Sequence, residues 1–146
     1  MIVKDILKAK PNNEVIATRP SATVAEASGI LAERNIGALV VLENGGGTLR
    51  GIISERDIVR GLARHGDGAL TLPVSALMTA EVVVCNAGDS LERLMETMTR
   101  NRIRHLPVME GIKLAGMITI GDVVKSRLDE MTSQVDQMRE YVMTTR

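Results

Sequence analysis

Aromatic side chains are almost missing from this chain, which has no Phe, no Trp and a single tyrosine, Tyr141. Its core must therefore be built from Val, Ile, Leu, Met and Ala, and no aromatic platform exists on which single-stranded nucleic acid could stack. Charge of one sign is also lacking. Eighteen Lys and Arg balance eighteen Asp and Glu, which removes the usual electrostatic case for a nucleic-acid or membrane-surface partner. With one cysteine, Cys85, an internal disulfide framework is excluded and a reducing compartment is expected. No apolar run approaches the length of a membrane span, and MIVKDILKAK does not read as a signal peptide. The expectation is a cytoplasmic protein.

What the chain does have is a repeat. Its 146 residues suit one domain of ordinary size, and residues 14–43 lie over residues 81–110 without a gap at an offset of 67. Glu14/Glu81, Val15/Val82, Ile36/Ile103, Leu39/Leu106, Val41/Val108 and Glu43/Glu110 are identical, and the apolar pattern agrees further than the identities. Each copy opens with a short apolar strand, EVIAT or EVVVC. Thr23-x-x-Glu26 and Asp89-x-x-Glu92 then read as capping boxes. The helices they open carry Val24, Ala27, Ser28 and Leu31, or Leu91, Leu94, Met95 and Met98, on one face. IGALVVL and IRHLPVM follow as buried strands, then a hairpin containing glycine, a third strand and a second helix. The fold class is α+β: a β-α-β-β-α unit written twice and packed sheet to sheet around a shared core. Residues 1–66 form the first repeat, 67–128 the second, and 129–146 a C-terminal helical extension; ARHGDGALTLP reads as the polar linker.

The second helices begin in nearly the same words, GIISERDIV at 51–59 and GMITIGDVV at 116–124. Ser54-x-x-Asp57 and Thr119-x-x-Asp122 have the spacing of helix caps, each worth about 1 kcal/mol. A helix N-terminus beside a carboxylate is equally suited to a phosphate and a sugar diol. Both readings remain open on the residues alone.

The layout and the repeated G-h-h-[ST]-x-x-D-h-h ending (h, an apolar residue) resemble a pair of CBS domains, the Bateman module, over residues 3–128. That resemblance implies a regulatory module, not an enzyme, which binds an adenosine-containing nucleotide between its repeats and signals in trans to a regulated protein. AMP is the first expectation, with ATP, ADP, NAD(H) and S-adenosylmethionine behind it. It further implies that Asp57 and Asp122 hold ribose diols, with Ser54 and Thr119 near ribose or phosphate. Asp122 and Thr119 would work with Ala17, Thr18, Gly37 and Ala38. Asp57 and Ser54 would work with Val83, Val84, Cys85, Arg104, His105 and Pro107. Small residues at 37 and 38 admit a flat base, and Pro107 has no N–H to give a neighbouring strand. Arg104 is the foremost phosphate partner; Arg56 and Arg19 read as solvated surface charges.

Catalysis and metal binding find no pattern: His65, His105 and Cys85 are far apart, and Cys85 sits in an apolar strand where it reads as core. GGG at 45–47 lacks the Lys-Ser/Thr of a phosphate loop. Val124, Leu128, Met131, Val135, Met138 and Val142 alternate spacings of four and three among polar residues. This stripe suits a homodimer contact, a helix lying back on its own chain, or, in a purely structural adaptor, a partner's helix.

Overall fold

The computed structural model describes residues 1–144; the last two residues of the C-terminal extension lie outside the described residues. The chain forms α1 (Val3–Ala9), β1 (Ala17–Thr18), α2 (Val24–Arg34), β2 (Ala38–Glu43), β3 (Thr48–Ser54) and α3 (Glu55–His65). A 3₁₀ turn at Gly66–Thr71 and the short α4 (Val74–Leu77) lead to the second copy. That copy comprises β4 (Cys85–Asn86), α5 (Leu91–Asn101), β5 (His105–Glu110), β6 (Lys113–Thr119) and the long α6 (Ile120–Thr144). Each repeat carries one three-stranded sheet, with β1 parallel and β3 antiparallel to β2, and β4 parallel and β6 antiparallel to β5.

The repeat extends to irregularities. Both hairpins shift register at the same place, between Val41 and Leu42 and between Val108 and Met109. Gly51 and Gly116, the glycines that open the twin motifs, pair with Val41 and Val108 at those shifts. Each has a second duty. A β-carbon on Gly51 would stand 2.7 Å from the Thr79 carbonyl oxygen, and one on Gly116 would stand 2.9 Å from Leu7 Cδ2. Glycine is required there because a neighbouring segment crosses against the backbone.

The expected α+β class with two tandem units holds, while the expected shared core does not: the described residues form two separate core clusters. The linker is no open polar loop: it winds into the 3₁₀ turn with Ala69 fully buried, and its Leu72 packs on the first core, where Val74 of the following α4 is fully buried beside Val24, Leu39 and Ile53. The N-terminal helix reaches past its own repeat into the second core, where Val3 and Ile6 pack with Leu91, Leu94, Leu106 and Ile118. Backbone bonds fix that docking, from Val3 N to Asp89 O and from Lys4 N to Ala87 O, each 2.9 Å. Burying one such aliphatic side chain contributes about 1.5–3 kcal/mol.

Side chains alternate across a strand. Leu39, Val41 and Ile53 fill the first core, yet Ala38 and Val40 on the opposite face are buried too. In the second repeat Leu106 and Val108 fill the core while Pro107 is buried on the other face. The middle strands are thus buried on both faces.

Two local expectations change. Helix α5 is capped by Ser90, whose side chain accepts from Arg93 N at 3.1 Å, and not by Asp89. Asp89 instead accepts from Asn86 N at 2.9 Å, closing a tight turn before the helix. The first strands shrink to two residues each, because the pairing of β1 with β2, and of β4 with β5, extends no further. The expected apolar faces are present in α2 and α5, with Met95 turned half outward.

Candidate functional site

Both twin motifs make the local bonds their spacing predicts. Asp57 N donates to Ser54 Oγ at 3.2 Å, and Asp57 Oδ2 accepts from Ser54 N at 2.9 Å. Asp122 N donates to Thr119 Oγ1 at 3.2 Å, and Asp122 Oδ2 accepts from Thr119 N at 2.9 Å. Each pair satisfies two orphan donors at the start of α3 or α6. In both motifs the capping bond is accepted by Oδ2, and Asp57 Oδ1 accepts from the Thr79 hydroxyl at 3.3 Å.

Above Asp57 lies a cavity of about 530 Å³. Its floor is the start of α3, with Ser54, Glu55, Arg56, Asp57 and Arg60. Facing them are Thr79, Glu81, Val82 and Val83 from the segment before β4, then Asn101, Arg102, Ile103, Arg104 and His105 from the turn between α5 and β5. Gly37 and Ile52 complete the lining. The walls therefore come from both repeats. Arg56 spans them, donating from Nη1 to Arg102 O at 3.3 Å.

Of the residues expected to work with Asp57, the cavity gathers Ser54, Val83, Arg104 and His105. Val84 is exposed, while Cys85 and Pro107 are buried, and none of the three lines the cavity. β4 pairs with β5 only from Val108 onward, so Pro107 lies just beyond the ladder, where its missing N–H costs nothing. Gly37, expected beside Asp122, lines the Asp57 cavity and stands against His105. Ala17, Thr18 and Ala38 lie on β1 and β2, and Thr119 with Asp122 at the start of α6. At this second location Lys10 Nζ sits 2.9 Å from Asp122 Oδ2.

Sequence reasoning missed Thr79, Glu55, Glu81, Arg60 and Arg102, and read Arg56 as a surface charge. Four guanidinium groups and three carboxylates line the cavity. Burial pushes the His105 imidazole below its ordinary value, and Glu55 works against that shift. An imidazole kept neutral can accept as well as donate. Burial, aided by Asp89, pushes the Cys85 thiol up to about 12, as befits a core residue. Among the described residues no cluster of His, Cys, Asp and Glu could hold a metal ion, and no helix is long and apolar enough to cross a membrane.

The CBS-domain family pattern matches residues 3–64 and 74–129. The chain belongs to the CBS-domain family. A CBS-domain containing protein from Agrobacterium tumefaciens, ATU1752, is 44% identical, superimposes with a TM-score of 0.82, and is aligned over 86% of this chain and 92% of its own. The mitochondrial CBS domain-containing protein CBSX3 of Arabidopsis thaliana is 32% identical over 96% of this chain and 71% of its own length. The CBS domain pair of protein MJ0100, solved in complex with 5′-methylthioadenosine and S-adenosyl-L-methionine, is 28% identical with a TM-score of 0.74, over 90% of this chain and 98% of its own. In this CBS pair the repeated β-α-β-β-α units are the two domains, and the Asp57 cavity lies between them.

Proposed function

We propose that this CBS pair is a non-enzymatic regulatory module that binds an adenosine-containing nucleotide in the cavity over Asp57 and reports its occupancy to a partner protein. One observation carries the reading: the cavity sets the capped Asp57 carboxylate opposite Arg102 and Arg104 of the other repeat. A ribose diol donates to a carboxylate, and phosphate oxygens accept from guanidinium forks. AMP is the preferred ligand, with ATP, ADP, NAD(H) and S-adenosylmethionine as weaker candidates. The adenosine ligands in the MJ0100 complex support an adenosine group for this chain. Because walls of both repeats line the cavity, a ligand bridging them biases their packing, provided its affinity differs between the arrangements.

Calorimetry with ligand-stripped protein tests the site. AMP binding is expected to weaken at least tenfold in Asp57→Ala and in Arg104→Ala. Equal affinity in wild type and the double variant would overturn the assignment.

A second reading is carried by α6. Val124, Leu128, Met131, Val135, Met138 and Val142 are all at least half exposed on it, while Val123 and Ser126 on the other face are buried. We place a homodimer contact along this stripe, in a reducing, cytoplasmic setting; a structural adaptor would use the same stripe for a partner's helix. Light scattering of Val135→Glu/Met138→Glu separates the two. Loss of a dimer supports self-pairing, whereas a wild-type monomer favours the adaptor.

A further inference from the structure

The segments that precede the two repeats end at equivalent places and treat the two motif aspartates differently. After α4 the chain reaches Thr79, whose hydroxyl donates to Asp57 Oδ1 at 3.3 Å. After α1 it reaches Lys10, whose ammonium stands 2.9 Å from Asp122 Oδ2 and also donates to Met117 O at 2.9 Å. Both carboxylates accept the same backbone capping bond through Oδ2, and they differ in the neighbour each crossing segment brings, a hydroxyl at Asp57 and an ammonium at Asp122.

A hydroxyl leaves the charge of Asp57 intact, and its own oxygen can accept a further bond from a sugar. An ammonium group cancels the charge of Asp122 and offers only donors, the role a ribose diol would play there. The pair is largely shielded, with side-chain exposures of 20% for Lys10 and 21% for Asp122. Lys10 is also pre-positioned, because it caps the C-terminus of α1, whose Val3 and Ile6 are locked in the second core. The described cavity opens over Asp57, and neither Thr119 nor Asp122 lines it.

We propose that Lys10 is a tethered occupant of the second repeat's carboxylate, holding that site closed to nucleotide and confining binding to the first repeat. This rests on the reading that the motif aspartates take ribose. A ligand at the second site must displace the ammonium from Asp122, so site choice is set by a residue outside both motifs.

Stoichiometry by calorimetry with AMP tests it, using wild type, Asp57→Ala, Lys10→Met and Lys10→Met/Asp122→Ala, with thermal melts confirming folding. Wild type is expected to bind one AMP per chain, and Asp57→Ala to lose it. Lys10→Met should bind two, the second being lost again in the double variant. Two AMP per wild-type chain, or a single Asp57-dependent AMP in both wild type and Lys10→Met, would overturn the proposal while leaving the first-repeat site standing. No binding to wild type but one Asp122-dependent AMP in Lys10→Met would support the lysine's role and sink the Asp57 site. Absence of binding in every variant overturns both.

Discussion

His105 Cε1 lies 3.1 Å from the point where a β-carbon on Gly37 would stand, so the two repeats touch at a glycine and an imidazole. Any side chain at position 37 must push the ring. Gly37→Val is expected to cost about 1–3 kcal/mol as an overpacked seam and to weaken AMP binding, whereas Gly37→Ala should be milder because the neighbour is a movable side chain. Denaturant melts and calorimetry on both variants check the order.

The same imidazole gives the fold a pH dependence. Burial lowers the folded value of His105, against the pull of Glu55 and Asp122 and with that of Arg104 and Lys10. Above the unfolded value of about 6.5 both states are neutral and nothing is gained or lost. As pH falls below it the unfolded chain takes up a proton that the fold resists, so stability declines until the folded value is passed. Urea midpoints between pH 8 and 5 should fall less steeply in His105→Gln than in wild type.

Gly51 and Gly116 occupy matching positions but differ in what opposes them. Gly51 faces the carbonyl of Thr79, which is backbone, and Gly116 faces the flexible end of Leu7. Gly51→Ala should therefore destabilise by about 1–3 kcal/mol and exceed Gly116→Ala. Equal losses would mean that the crossing segment after α4 yields as readily as a leucine side chain.

Cys85 is 3% exposed, with its thiol pushed up to about 12. At pH 8 its reaction with a disulfide reagent should be slower than that of a free cysteine on the order of a thousandfold, recovering on unfolding. Rapid labelling of folded protein would show that β4 opens readily.

Arg102 ends α5 in the left-handed region, at φ 53°, where the first repeat has Asn35 at φ 52°. An arginine is poorly suited to that conformation, at a cost of roughly 1–2 kcal/mol. Arg102→Gly should raise the melting temperature while weakening nucleotide binding, since its guanidinium lines the cavity. A stabilised variant with unchanged AMP affinity would remove Arg102 from the site.

Local chemistry was legible and distant docking was not. The Ser54/Asp57 and Thr119/Asp122 bonds follow from spacing within one helical turn, and so do Thr23 and Glu26. Asp89 and Ser90 are adjacent residues that both favour a helix cap, so spacing alone did not choose between them; the offset of 67 from Thr23 points to Ser90. Nothing in MIVKDILKAK announces that Val3 and Ile6 belong beside Leu91 and Leu106, because that contact depends on tertiary folding. The cavity arginines were hidden for a different reason. Arg56 and Arg60 sit at solvent-facing helical positions, where a spacing pattern cannot distinguish a lining charge from a solvated one. Their role emerges only once α3 faces the turn between α5 and β5.

The docking of α1 also sets an order of events. Its backbone partners, Asp89 and Ala87, leave the ribosome roughly eighty residues after Val3, a wait on the order of ten seconds at ordinary rates of synthesis. Throughout that interval the apolar face of Val3 and Ile6 has no partner of its own. A segment made before both repeats is thus among the last to settle, and the second repeat is finished by residues that were waiting for it.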